Sequence, residues 1–111
     1  MRLAVHLNAN AEQTLRLREA LDLLLASLAL GWPTTLLLGP AGMRALATEN
    51  TQAASKGFAS LPIYDLACAY ALASTVSDQS AASQAWLLPV KLLDEHAWQA
   101  MLSAQDWLIA F

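Results

Sequence analysis

The chain has 111 residues, of which 57% are hydrophobic and 14% carry a formal charge, and its net charge is −3. This length predicts one domain with a core of its own, and we assign residues 1–111 to it. Soluble domains average about 25% charged residues, so the low charge indicates that a partner covers part of the surface. The six basic residues are scattered, which argues against direct binding of nucleic acid through phosphate contacts.

The N-terminal third alternates between strand-like and helix-like segments. Arg2–Leu7 is a short apolar run that predicts a first strand. Asn10 and Gln13 have the spacing of a capping box, and leucines at three- and four-residue spacing predict a helix over Ala11–Leu30. Gly31 is expected to end this helix.

Residues 20–39 contain a single charge and are long enough to span a bilayer. The sequence Gly31-Trp32-Pro33 interrupts them, and Thr34–Leu38 predicts a second strand. We therefore expect a buried helix, a turn and a buried strand, with no membrane span. The lack of a secretory signal and the single cysteine, Cys68, indicate a cytoplasmic protein.

The remaining two thirds continue the alternation. In chain order we predict a turn at Gly39–Gly42, short helices at Met43–Ala47 and Gln52–Ala59, and a strand at Leu66–Leu72. A weak helix and a loop are expected over Ala73–Ala85, followed by a strand at Trp86–Leu92. A helix over Glu95–Ala104, capped by Asp94, and a buried final strand at Trp107–Phe111 complete the chain. Pro89 cannot donate a ladder hydrogen bond, which favours an edge position or a bulge for the fourth strand.

This alternation predicts a three-layer α/β/α domain with a mostly parallel five-stranded sheet. The stretch Leu61–Leu72 is expected to supply its middle strand. Right-handed crossovers place the carboxyl ends of the strands on one rim, where ligand chemistry occurs in such folds.

Cys68 is the candidate catalytic residue. A thiolate is nucleophilic and carries sulfur as a persulfide where a partner can reach it. The alternative is a small buried structural cysteine, which is what a free cysteine most often is. No Cys-x-x-Cys motif is present, which excludes redox cycling between two neighbouring thiols.

Other candidate sites have weaker support. The turn Gly39–Gly42 lies where backbone N–H groups bind anions, but it matches no phosphate-binding motif. His6 and His96 lack the clustered ligands of a metal site, so we expect neither a metal nor a cofactor. Of the four tryptophans, Trp32, Trp86, Trp98 and Trp107, we expect most in the core and one or two as interface anchors.

As a whole the chain resembles the DsrE/DsrF-like family, and within it the TusC/DsrF branch. Three segments carry the resemblance: the helix Arg18–Leu30, the turn Leu61-Pro-Ile-Tyr64-Asp65, and the C-terminal strand, helix and strand over Leu87–Phe111. Together they cover most of the chain.

The resemblance implies a cytoplasmic five-stranded α/β subunit that forms a homo- or hetero-oligomer with paralogous DsrE/DsrH-like chains. Such bacterial complexes relay persulfide sulfur, for 2-thiouridine formation in tRNA or for sulfur oxidation. The family's carrier cysteine lies at the end of the central strand. Alignment on Tyr64-Asp65 gives that position to Leu72 and places Cys68 inside the strand.

Three functions remain open. The first is an accessory, structural subunit of a sulfur-relay oligomer, which positions a partner's persulfide cysteine. The second is a direct sulfurtransferase with Cys68 as the carrier. The third is a small-ligand-binding α/β module that uses the Gly39–Gly42 rim.

Overall fold

The computed structural model describes residues 1–48, 53–75 and 85–111. They form an α/β domain around one five-stranded sheet in which all neighbouring strands run parallel, in the order β4-β3-β2-β1-β5. The strands are β1 (Leu3–Leu7), β2 (Thr34–Leu38), β3 (Ala69–Leu72), β4 (Val90–Leu93) and β5 (Trp107–Ala110). The helices are α1 (Thr14–Ala29), α2 (Pro40–Ala45), α3 (Ala53–Lys56) and α4 (Glu95–Ser103), with 3₁₀ segments at Gly57–Tyr64 and Ala73–Thr75.

Helices cover both faces of the sheet, which confirms the predicted fold class. On one face α1 packs on β1 and β2, and the larger core cluster joins Leu17 of α1 to Val5 and Leu36. On the other face Trp98 of α4 packs with Ala4 and Leu37. Strands β1, β2 and β3 alternate their side chains between these two clusters, as the period of a strand requires.

The middle strand of the sheet is β2, not β3. The strand order places β3 between β2 and the edge strand β4. The expectation that Leu61–Leu72 supplies the middle strand is therefore wrong. Apolar content identifies a buried strand, but it carries no information on which strands become neighbours.

The ends of α1 show how local sequence positions a helix. Gln13 Oε1 accepts a hydrogen bond from Asn10 N, as a capping box requires, but Asn10 Oδ1 accepts from Glu12 N and closes a separate turn. The helix therefore begins at Thr14, not at Ala11. At the other end Gly31 adopts φ +77°, and Trp32 N donates to Ser27 O, which forms the expected glycine cap.

Residues 20–39, for which we predicted a helix, a turn and a strand, form the second half of α1, a turn and β2. No helix in the described part of the chain combines the length and hydrophobicity needed to cross a membrane.

Three predicted helices shift at their ends. Helix α2 begins at Pro40, since proline is favoured in the first turn. Helix α3 continues into the 3₁₀ segment Gly57–Tyr64. Asp94 caps α4 as predicted, with Oδ1 accepting from Ala97 N at 2.7 Å. Most of the predicted weak helix and loop over Ala73–Ala85 lies outside the described residues.

The two edge strands differ from their predictions in different ways. Strand β4 lies at an edge, as Pro89 indicated, but it begins after that proline and not at Trp86. Strand β5 was expected to be buried and is exposed along its whole length. An uncharged apolar run predicts burial, and the chain itself supplies no second neighbour for this strand among the described residues.

Candidate functional site

Cys68 lies directly before the first residue of β3 and not inside the strand. The ladder begins at Ala69, whose N–H donates to Pro89 O at 2.9 Å, so Leu66, Ala67 and Cys68 lead into the strand from the 3₁₀ segment. The Cys68 side chain is half-buried. The predicted strand start at Leu66 is therefore three residues too early, and Cys68 occupies the amino end of the sheet.

A groove of about 370 Å³ opens at this amino end. Its polar lining comes from residues that precede or begin four strands: Arg2, Thr34, Thr35, Asp65, Cys68, Tyr70 and Gln105. The sheet is parallel, so residues at the starts of neighbouring strands are brought together here, as are their carboxyl ends on the opposite rim.

Tyr70 is the closest functional neighbour of Cys68. The two residues lie two positions apart in the sequence, and both line the groove. A hydrogen bond to Cys68 raises the pKa of Tyr70 above its ordinary value of 10.0, and burial and the charge of the Cys68 side chain act in the same direction. Tyr70 was not among the predicted site residues, although its spacing of two positions from Cys68 was a usable signal.

Gln105 presents a second polar group to the groove. Its Nε2 donates to Met101 O at 3.1 Å, while its Oε1 is buried and has no hydrogen-bond partner among the described residues. Arg2 lies beside it, and its backbone N donates to Asp106 Oδ2 at 2.7 Å. The residues that line the groove therefore include a thiol, a phenol, the carboxylate of Asp65, a side-chain amide and a guanidinium group.

The carboxyl end of β3 has no comparable group. Its last residue is Leu72, the position to which the family resemblance assigns the carrier cysteine. Leu72 lies four positions after Cys68, a distance of about 13 Å at the usual rise of a strand. The thiol and the expected carrier position are thus at opposite rims of the sheet.

The turn at Gly39–Gly42 is filled by the protein's own hydrogen bonds. Gly39 N donates to Leu7 O at 2.9 Å, and Ala41 N donates to Asn8 Oδ1 at 2.9 Å. Pro40 has no N–H to offer. A side chain at Gly39 would collide with Asn8, and one at Gly42 with the Leu7 carbonyl, so packing explains both glycines.

The two histidines lie apart. His6 is half-buried in β1 with its ring 6.2 Å from that of Trp98 in an edge-to-face arrangement, and burial lowers the pKa of His6. His96 is exposed on α4. Across residues 1–48, 53–75 and 85–111, no three histidine, cysteine or carboxylate side chains cluster in a way that suits a metal ion.

Exposed apolar side chains mark two further surfaces. On β5, Trp107 is 55% exposed and Leu108 52% exposed. Beside the 3₁₀ segment, Ile63 and Tyr64 are exposed and line a shallow apolar groove of about 450 Å³ with residues of α1. Of the other tryptophans, Trp98 is buried, and Trp32 and Trp86 are half-buried.

Comparison with known proteins adds no assignment, because the chain matches neither a protein-family model nor a curated protein.

Proposed function

We propose that this chain is an accessory, structural subunit of a cytoplasmic sulfur-relay oligomer, assembling with paralogous DsrE/DsrH-like chains. In that role it positions the persulfide cysteine of a partner and carries no sulfur itself. The proposal extends to relays that serve tRNA 2-thiouridine formation or sulfur oxidation.

One observation carries this proposal. The carboxyl end of β3, where the resemblance expects a carrier thiol, ends in Leu72, and the only thiol lies at the opposite rim. An aliphatic side chain accepts no sulfur. The exposed apolar residues of β5 and of the Ile63 groove supply the surface that an assembling subunit needs.

A second candidate is direct sulfur transfer by Cys68. The observation that favours it is the groove, where Cys68 is half-buried beside the Tyr70 hydroxyl and Arg2. The Cys68 thiolate would attack the outer sulfur of a donor persulfide, the donor S–S bond would break, and the donor would leave as a thiolate. Attack of an acceptor thiolate on the outer sulfur of the Cys68 persulfide would then restore the Cys68 thiolate.

The third candidate, a ligand module at Gly39–Gly42, has less support. The N–H groups of Gly39 and Ala41 donate within the chain, and Pro40 has none. A ligand there would have to displace bonds that hold β1, β2 and α2 together.

Intact-mass analysis after incubation with a persulfide donor separates the first two candidates. We expect no sulfur adduct on the native chain and an adduct on the same chain unfolded in urea, where Cys68 is fully accessible. Light scattering of mixtures with DsrE/DsrH-like chains should detect a stable complex. A native adduct that disappears in Cys68→Ala would favour the sulfurtransferase, and absence of any complex would contradict the accessory role.

A further inference from the structure

The outer edge of β5 has no partner among the residues that the structure describes. Among the described residues, β5 pairs with β1 and with no other strand. Trp107 N donates to Arg2 O and Phe111 N donates to His6 O, so alternate residues turn their backbone groups inward to β1. The intervening residues, Leu108 and Ala110, therefore turn their N–H and C=O groups outward.

The side chains along this edge are apolar and accessible. Trp107 and Ile109 leave one face of the sheet, Leu108 leaves the other, and even Ile109 is 36% exposed. Natural proteins protect exposed edges with prolines, charges or bulges, because unpaired edges recruit other strands. The opposite edge, β4, has Pro89 directly before it and the exposed Lys91 within it. The segment 107–111 has no charge, proline or glycine.

We propose that the β5 edge binds the β5 edge of a second copy of this chain, in antiparallel orientation, with Ile109 on the two-fold axis. A strand edge that pairs with itself around a two-fold axis runs antiparallel to its copy. The two sheets then form one continuous sheet across the dimer. This inference concerns the sheet edge and does not rest on the proposed function.

The register follows from the outward-facing groups. With Ile109 opposite itself, Leu108 lies opposite Ala110 of the copy, and each such pair exchanges two N–H···O=C hydrogen bonds. Trp107 then lies opposite Phe111 of the copy, on the face that also carries the two Ile109 side chains. Centring the pair on Leu108 instead would bring Asp106 into the ladder.

A second copy fits this edge better than a charged partner. The strand is uncharged, so pairing brings no like charges together, and Leu108 meets the small Ala110. Pairing through one short strand buries less surface on each partner than the ~800 Å² that each side of a standard interface buries. We therefore expect a reversible dimer with a dissociation constant in the micromolar range.

Disulfide trapping tests the register. Cys68→Ser removes the natural thiol, and Ile109→Cys then introduces one on the two-fold axis. In a non-hydrogen-bonded antiparallel pair the two Cα atoms lie about 4.5 Å apart, within the range of about 4.4–6.8 Å that a disulfide spans. We expect mild oxidation to convert this variant to a covalent dimer on a non-reducing gel.

Leu108→Cys in the same background is the matched control. In the proposed register it lies diagonal to its own copy, at about 7–8 Å and beyond disulfide reach. After the same oxidation, we expect this variant to run mostly as a monomer on the non-reducing gel. Equal cross-linking of the two variants, or cross-linking of Leu108→Cys alone, would overturn the register.

Sedimentation equilibrium of the natural chain tests the pairing itself. Ile109→Lys places two ammonium groups together at the axis and should leave a folded monomer at every concentration. Leu15→Lys makes a similar change at a residue of α1 that is 68% exposed and lies outside every surface assigned to assembly, so it should associate as the natural chain does. A natural chain that stays monomeric, or an Ile109→Lys variant that still associates, would overturn the proposal, and circular dichroism confirms that each variant is folded.

Discussion

The two ends of the parallel sheet are built differently. At the carboxyl end, Gly39 and Gly42 let the β2–α2 turn approach Asn8 and Leu7 so closely that no ligand group fits between them. At the amino end, the residues before β1, β3 and β5 surround a groove with polar side chains. Parallel α/β domains usually bind ligands at the carboxyl end. This chain shows that the residues at each end, and not the fold class, decide which end is available for chemistry.

Gly42→Ala gives the largest expected effect, because it tests the packing of the carboxyl end. The added Cβ would overlap the backbone carbonyl of Leu7, which cannot rotate away. Alanine gains up to about 1 kcal/mol of helix propensity over glycine, but overpacking costs about 1–3 kcal/mol or more. We expect the free energy of unfolding to fall by about 2 kcal/mol, measured by urea denaturation.

Gly57→Ala is the matched control for that prediction. Its added Cβ would meet Leu21 Cδ2, the tip of a half-buried side chain that has other rotamers. We expect a loss below about 1 kcal/mol. Equal losses for the two variants would mean that the close approach of α2 to β1 has no special role.

The sequence was most informative where a local rule decides the structure. Strand β2 was predicted with its bounds, Gly31 ends α1 in a left-handed conformation, and Asp94 caps α4. Each of these features depends on a few neighbouring residues, such as a glycine that alone tolerates positive φ. The fold class followed from the order of such elements.

The errors arose where distant parts of the chain decide. Cys68 lies outside β3 because the ladder starts at Ala69, opposite a strand that is distant in sequence. Strand β5 is exposed at an edge of the sheet, a position that depends on the order of all five strands. The groove around Tyr70 and Gln105 depends on strand order, which hydrophobic patterns do not encode. Only the two-residue spacing of Cys68 and Tyr70 indicated it.

His6, near the carboxyl end of β1, makes the stability of the fold depend on pH on the acid side. Burial lowers the pKa of His6 below 6.5, so the unfolded chain binds its proton first as the pH falls. The contribution of His6 to stability is complete above pH 6.5 and is lost as the pH falls through the folded pKa. The slope stays below about 1.4 kcal/mol per pH unit, the limit for one proton.

Urea denaturation over a pH series measures this dependence. His6→Gln should reduce the slope on the acid side, and its midpoint at neutral pH gives the separate cost of losing the packing against Trp98. If both proteins lose stability equally on acidification, His6 is not the group responsible.

Tyr70 makes the amino end sensitive to alkali, with the smallest expected effect because its side chain is only half-buried. The hydrogen bond to Cys68 holds the pKa of Tyr70 above 10.0. As the pH rises through 10.0, the unfolded chain loses this proton first, so the contribution of Tyr70 to stability declines until the pH passes the folded pKa.

Cys68→Ala removes the hydrogen bond and should shift the absorbance titration of Tyr70 toward its ordinary value, whereas Tyr70→Phe should remove that transition altogether. An unchanged titration of Tyr70 in Cys68→Ala would mean that the Cys68 side chain does not interact with the Tyr70 hydroxyl. The Cys68 thiol would then have no phenol hydrogen-bonded to it. The amino end of the sheet would lose the interaction that distinguishes it from the carboxyl end as a place for chemistry.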